Sequence, residues 1–329
     1  MSLSLSRLSK AALASLATLV ILVVSACSGG SSVDRTDDGL AKLTVFQITT
    51  VDSTPLYLGI EQGFFEEEGL DVEVRIAEAG SAIIPSVMNG ESQIGYANAV
   101  SDLSAIDQGL DLRFVSNCCG IGNDPALDAS DIFVLPDSPI QDLTGLSNAK
   151  IAVNSTKNLG DLTINQAVTN AGGDPSTIEY VPMNYSDMAG ALERGDVDAI
   201  WSVEPFRTAS ANAGFRQISS NFVESFPDTV IGYYVTSADF AEANPEVVAQ
   251  FQRAMDKTNQ YASEHPEDLR RLAVEKVGLS PEVAEELNFN TFTPGLDVES
   301  LRRVGAASLE QGLISEEPNY EELVIQPQG

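Results

Sequence analysis

Residues 54–74 read Thr-Pro-Leu-Tyr-Leu-Gly-Ile-Glu-Gln-Gly-Phe-Phe-Glu-Glu-Glu-Gly-Leu-Asp-Val-Glu-Val. Thr54 is placed to cap a helix by accepting from its free N–H groups, and Pro55 suits the first helical position. Gly63 and Gly69 punctuate the helix end, after which Leu70, Val72 and Val74 alternate as a strand with one buried face. A strand-like run, Leu43 to Thr49, comes just before. Strand, helix and strand in this order make a βαβ unit, which calls for a parallel sheet.

The alternation continues. Helices are expected at Ile83–Asn89 and Ala99–Gln108, with strands at Ser92–Tyr96 and Leu112–Ser116. A second series has strands at Ile132–Leu135, Lys150–Val153, Ile178–Val181 and Val197–Trp201. Its helices are Gly160–Ala171, Tyr185–Arg194 and one from Glu204. Thr229–Thr236 reads as a buried strand, and the chain from Ala238 onward is helical in pattern. Two segments echo each other: Asn89-Gly90-Glu91-Ser92-Gln93-Ile94-Gly95-Tyr96 and Arg194-Gly195-Asp196-Val197-Asp198-Ala199-Ile200-Trp201. Each is a helix end, a glycine able to take the left-handed cap, an acid and a short strand.

Together these phrases resemble the solute-binding proteins of the nitrate/sulfonate/taurine type that feed bacterial ABC importers, a family that extends to thiamine-pyrimidine-like ligands. Pro55-Leu56 through Gly59, Gly63-Phe64-Phe65 and Glu68-Gly69-Leu70 match its first βαβ unit. The glycine-acid phrase stands in both halves, and Trp201-Ser202-Val203-Glu204-Pro205-Phe206 matches its "W-x-x-E-P-F" run. The resemblance covers roughly Leu43 to Thr236. It implies an α/β chain with a two-lobed periplasmic-binding-protein-like fold (type II), each lobe a doubly wound mixed sheet, with a hinge between lobes. Residues 41–133 plus 232–329 are expected to form lobe 1 and residues 134–231 lobe 2, with crossings near Ile132–Asp137 and Pro227–Gly232.

The N-terminus adds an address. Arg7 and Lys10 precede the apolar run Ala11–Val24, and Val24-Ser25-Ala26-Cys27 resembles a lipobox. The run is short of the ~20 residues that cross a bilayer comfortably. Residues 1–26 are therefore read as a lipoprotein signal peptide, Cys27 as the lipidated residue, and 27–40 as a flexible tether. The expected location is exported, lipid-anchored at the outer face of the cytoplasmic membrane. Of 18 basic residues the signal takes two, leaving 16 against 48 acids, a net −32. Such a chain is not expected to bind nucleic acid or to adhere to anionic lipid through its surface. Cys118 and Cys119 are adjacent, with Cα atoms ~3.8 Å apart, below the usual disulfide separation of ~4.4–6.8 Å. Two small, partly buried thiols lying after a strand are expected.

Open α/β sheets bind ligands beyond the carboxyl ends of their strands, often at helix N-termini. Reading those positions gives the ligand-binding candidates. In the first lobe they are Asp52, Ser53, Thr54, Gly80, Ser81, Asn98 and Asn117. In the second they are Asn154, Ser155, Thr156, Asn184, Tyr185, Trp201 and Glu204. This set suits hydrogen-bonded capture of a small polar molecule, with Trp201, the chain's one tryptophan, as an aromatic platform. Lys157 and Arg207 are the nearby cations. A neutral, zwitterionic or singly anionic ligand fits better than a multiply charged one.

No nucleophile elbow, phosphate-binding glycine loop or metal-ligand spacing is found, and the one histidine, His265, lies in a Ser-Glu-His-Pro turn. No enzyme, cofactor or metal is expected. The partners expected are the small ligand, an ABC permease and an ATPase, with the receptor a monomer. Two other readings stand beside it. A thiamine-pyrimidine synthase-like enzyme needs a histidine in the first lobe, where none stands. A ligand-sensing domain is the other.

Overall fold

A computed structural model describes residues 33–48, 50–77 and 80–326, the side chains of Gly80 and Ser81 excepted. The segment read as a signal peptide, with Cys27, lies outside the described residues. The tether drawn through residue 40 is partly folded: Lys42 N donates to Asp34 O, and Arg35 bridges to Ala41.

Among the described residues, ten strands form two sheets of five. They are β1 (Ala41–Ile48), β2 (Leu70–Ala77), β3 (Ile94–Asn98), β4 (Leu112–Ile121), β5 (Ser130–Val134), β6 (Lys150–Val153), β7 (Glu179–Pro182), β8 (Ala199–Val203), β9 (Arg216–Ser220) and β10 (Thr229–Ser237). The first sheet runs β2-β1-β3-β10-β4 and the second β7-β6-β8-β5-β9. In each, one strand lies antiparallel to its neighbours, β10 in the first and β5 in the second. The sheets share one wiring, so β3 and β8, which follow the two echoing glycine turns, occupy the same place in their own lobes. Gly90 and Gly195 both adopt left-handed φ, +78° and +72°.

The antiparallel strands are donated across the hinge. β5 belongs wholly to the second sheet and β10 wholly to the first, so the sequence boundaries at 133/134 and 231/232 fall inside strands. The crossings are instead the segments 122–129 and 226–228, which hold each other: Asp228 N donates to Gly122 O, and Asn123 Nδ2 to the Asp228 carboxylate. The long helix Pro245–Glu264 packs on the helix Thr54–Glu61 and on β4, and Val298–Glu310 packs on β10. The helical C-terminus therefore returns to the first lobe.

Three local readings are corrected. Thr54 does not cap its helix by accepting. Val51–Ser53 forms a 3₁₀ turn, and the Ser53 and Thr54 hydroxyls donate back to Thr50 O and Val51 O. β4 runs on past Ser116 to Ile121, because β10 pairs with it across two irregular steps around Gly232. Asn117, Cys118 and Cys119 are thus buried within a strand rather than placed in a loop after it, and both cysteines are free. Finally, β9 and the short helix Asn221–Ser225 form where no element was expected.

Candidate functional site

Between the lobes lies a cavity of about 630 Å³, at the carboxyl ends of β1 and β3 on one side and of β6, β7 and β8 on the other. The first lobe contributes Thr50 and Asp52 from the turn after β1, Tyr96 and Asn98 from β3, and Ser101 one helical turn later. Asn98 doubles as N-cap of the helix Ala99–Asp107, its Oδ1 accepting from Ser101 N at 3.0 Å. Facing them across the cleft are Asn154, Ser155 and Asn158 from the loop after β6, and Asn184, Tyr185 and Ser186 from the turn after β7.

Aromatic rings form the second lobe's wall. Trp201, near the end of β8, is 2 % exposed, so it belongs to the core as well as to the cavity. Its Nε1 donates to Asn221 Oδ1 at 2.8 Å, and Phe222 meets it edge-on. Tyr185 lies 5.9 Å from Trp201 between ring centroids and stacks on Phe206 at 5.3 Å with planes 16° apart. At Gly160 a Cβ would stand 2.9 Å from the indole, so this ring position requires a glycine beneath it.

Asp52 is the acidic member of the lining. Its Oδ1 accepts from Asn290 Nδ2 at 2.9 Å, which fixes the carboxylate's direction. Burial pushes its carboxyl up to about 6, against the hydrogen bonds of Asn290, Cys119 and Tyr96, which act the other way. It is half-buried and lines the cavity. Burial and then the negative field of Asp52 raise the Tyr185 hydroxyl above its ordinary range, so the two groups sense each other across the cleft. Among the described residues no Lys or Arg lines the cavity.

Asp52, Asn98, Asn154, Ser155, Asn184, Tyr185 and Trp201 thus come together, and other candidates do not. Ser53 and Thr54 lie behind the cavity, spent on the 3₁₀ turn. Asn117 ties β4 to the 293–297 segment, its amide donating to Thr293 and its Oδ1 accepting from Asp297 N. Thr156 is exposed and outside the lining, as is Lys157. The side chains of Gly80 and Ser81 are outside the described set. Glu204 is buried away from the cavity, accepting from Thr208 N, Thr208 Oγ1 and Asn288 N. Arg207 is consumed by Asp131 at 2.7 Å and lies 3.8 Å from Glu204.

Tyr96, Ser101, Asn158, Phe206 and Phe222 were missed. Strand alternation would have put Tyr96 beside Asn98, and helical spacing would have put Ser101 above it. Asn158 is the N-cap of the next helix, two residues beyond the loop that was chosen.

The match to known proteins is consistent with this geometry. A family model described as "NMT1/THI5 like" matches residues 50–269. The taurine-binding periplasmic protein of Escherichia coli is 25% identical over 217 residues, covering 64% of this chain and 65% of that one. A putative aliphatic sulfonates-binding protein of Bacillus subtilis is 27% identical over 248 residues, covering 72% and 71%. In three dimensions the periplasmic aliphatic sulphonate binding protein SsuA of Escherichia coli superposes with a TM-score of 0.70 at 17% identity, over 87% of this chain and 92% of that one. The chain belongs to the NMT1/THI5-like family and has its two-lobed binding-protein fold.

Proposed function

We propose that this chain is the solute receptor of an ABC importer, exported and held at the outer face of the cytoplasmic membrane by lipid on Cys27. It captures a small neutral, zwitterionic or singly anionic molecule, of the sulfonate or small-aromatic kind, by closure of the two lobes. The closed form then docks, as a monomer, on a permease and its ATPase. The observation that carries this reading is the interlobe cavity itself, with hydrogen-bonding side chains from both lobes around an aromatic wall. Binding without catalysis fits the lining, which offers amides, hydroxyls, rings and the Asp52 carboxylate. His265 is stacked on Tyr261, with its Nδ1 against Tyr261 O, and is not part of the lining. The relatives named for taurine and sulfonate binding support the class of molecule.

Two measurements test it. Small-angle scattering should show a smaller radius of gyration once a solute that binds is added; an unchanged radius with a proven ligand argues against a clamp. Mass spectrometry of the membrane-extracted protein should find a lipidated Cys27 at the N-terminus; an unmodified cysteine, or cleavage elsewhere, removes the anchor.

A further inference from the structure

We infer, resting on the closure reading above, that the side-chain amides of Asn165 and Gln311 form a latch between the lobes, outside the cavity, that holds the closed form. Residues that touch no solute then set how firmly any solute is kept.

One face of the helix Leu159–Asn170 in the second lobe meets the first lobe. Asn158, its N-cap, Leu162 and Asn165 stand at i, i+4 and i+7, positions that a helix stacks in a row. Opposite the row are Ser101, in the helix Ala99–Asp107, and Gln311, the C-cap of the helix Val298–Glu310. Asn158 Nδ2 donates to Ser101 Oγ at 2.9 Å, beside the cavity. Seven residues on, Asn165 Nδ2 donates to Gln311 Oε1 at 3.1 Å, and Gln311 Nε2 donates to Leu162 O at 3.3 Å. Asn165 Oδ1 accepts from the Tyr180 hydroxyl at 2.6 Å, which turns its Nδ2 toward Gln311. Each amide thus both gives and accepts a bond, so the pair is fully satisfied only when the lobes meet. Asn165, Tyr180 and Gln311 are all outside the cavity lining.

The crossings at 122–129 and 226–228 are continuous chain and stay joined whichever way the lobes turn. The amide pair is made by side chains at half-buried positions, and it can part without disturbing either crossing. The same helix also reaches the cavity wall. Gly160 lies under the Trp201 indole, and Thr163 Oγ1 is 2.8 Å from Asn221 Oδ1, the oxygen that takes the Trp201 Nε1 hydrogen. Cap, aromatic wall and latch therefore move as one rigid element. A solute that draws the lobes together over Trp201 also closes the amide pair, and by linkage a stronger latch strengthens retention of the solute. Both sides of the latch supply their own donors and acceptors, so the closed form is populated in the unliganded chain as well.

The test uses the whole chain with no solute added. Small-angle scattering and urea unfolding are compared for the unaltered protein, Gln311→Ala, Gln311→Glu, and Asn165→Asp combined with Gln311→Lys. Gln311→Ala removes both bonds, and Gln311→Glu sets a carboxylate against the Leu162 carbonyl. Loss of two such bonds should lower the closed-to-open ratio roughly tenfold, so each single variant should show a larger radius of gyration. The double variant offers a carboxylate that still accepts from Tyr180 and an ammonium that reaches it, and should restore the original radius. A radius unchanged in both single variants overturns the inference, even if the urea midpoint falls, since that is what a merely structural contact would do. An enlarged radius that the double variant does not restore also overturns it; if the double variant does not fold, the single variants decide. Because no solute is used, failure here leaves standing the receptor reading, whose own test is compaction when a solute binds.

Discussion

Gly160 and Trp201 fit together closely enough that each constrains the other. A Cβ at residue 160 would come within 2.9 Å of the indole and 3.2 Å of Val153. Gly160→Val should therefore cost about 1–3 kcal/mol of stability, as overpacking does, and displace the cavity wall. Trp201→Ala opens a void in the core and removes the platform. Stability should fall by about 3–5 kcal/mol, and ligand affinity by about 1–3 kcal/mol where the protein still folds. Chemical denaturation followed by titration of the folded fraction separates the two effects; unchanged affinity would show that the ring only supports the lobe. At this scale the sequence was readable where a residue type is rare or a position is standard. Trp201 and Asn98 were found that way. Ser53, Thr54 and Asn117 were misplaced because Ser, Thr and Asn at strand ends satisfy backbone as readily as ligand, and only the path of the chain tells which.

Among the elements, the segment 286–291 links the two lobes through side-chain and backbone hydrogen bonds. It leaves the C-terminal helices of the first lobe and touches the second. Asn288 N donates to the buried Glu204 carboxylate, and Asn288 Nδ2 donates to Asp128 O. Thr208 Oγ1 and Asn212 Nδ2 reach Glu286 from the other side. This strap is hydrogen-bonded to the crossing at 122–129, which in turn holds the crossing at 226–228, so three chain segments join the lobes. Asn288→Ala should cost about 0.5–1.5 kcal/mol, since it removes one exposed hydrogen bond to Ala126 O and one part-buried hydrogen bond to Asp128 O, while leaving the cavity lining untouched. Urea unfolding would measure it, and a loss below about 0.5 kcal/mol would mean the strap is not held by this residue. The strap was illegible in the sequence. Its long-range contacts are 74 to 238 residues apart, and nothing in Leu287-Asn288-Phe289-Asn290 marks such a partner. β9 was hidden for a related reason: Arg216-Gln217-Ile218-Ser219-Ser220 is an edge strand whose polar face is satisfied by Asp131 and Glu224, so no alternation shows. The regular βαβ stretch beginning at Leu43 was legible because its hydrophobic period is local.

The whole molecule carries its acids in two environments, and they predict an inverted pH response. Burial raises Asp52, Asp128 and Asp161 to about 6 and Asp131 to about 7, and raises Glu204 as well. An unfolded carboxyl titrates near ~4, so between these values the folded chain binds more protons than the unfolded one. That part of the stability is present at low pH and lost as pH rises through 6 and 7. Relief of self-repulsion in a chain of net −30 acts in the same direction. The melting temperature should climb as pH falls from about 7.5 to about 5, then drop below about 4 as the surface carboxylates that favour charge, such as Glu68 beside Lys257 and Arg253, become protonated. Calorimetry across that range checks it, and a melting temperature highest at neutral pH would mean the buried acids keep company not described above. The two-lobe plan was legible at this scale because it is repeated, once in each half of the chain.

Capture also has a speed. The chain's excess of acid extends a negative field into solvent, and the cavity it surrounds adds Asp52 with no Lys or Arg among the described lining residues to reverse it. At physiological salt that field fades over ~8 Å, so it acts on the last stretch of a solute's approach to the mouth. A positively charged solute is drawn in along it, and its association rate should fall several-fold as sodium chloride rises from about 10 to about 300 mM, with dissociation little changed. A negatively charged solute would show the opposite slope in the same stopped-flow trace. The salt dependence of arrival therefore reports the sign of the cargo's charge, and does so even when only a crude extract of candidate solutes is in hand.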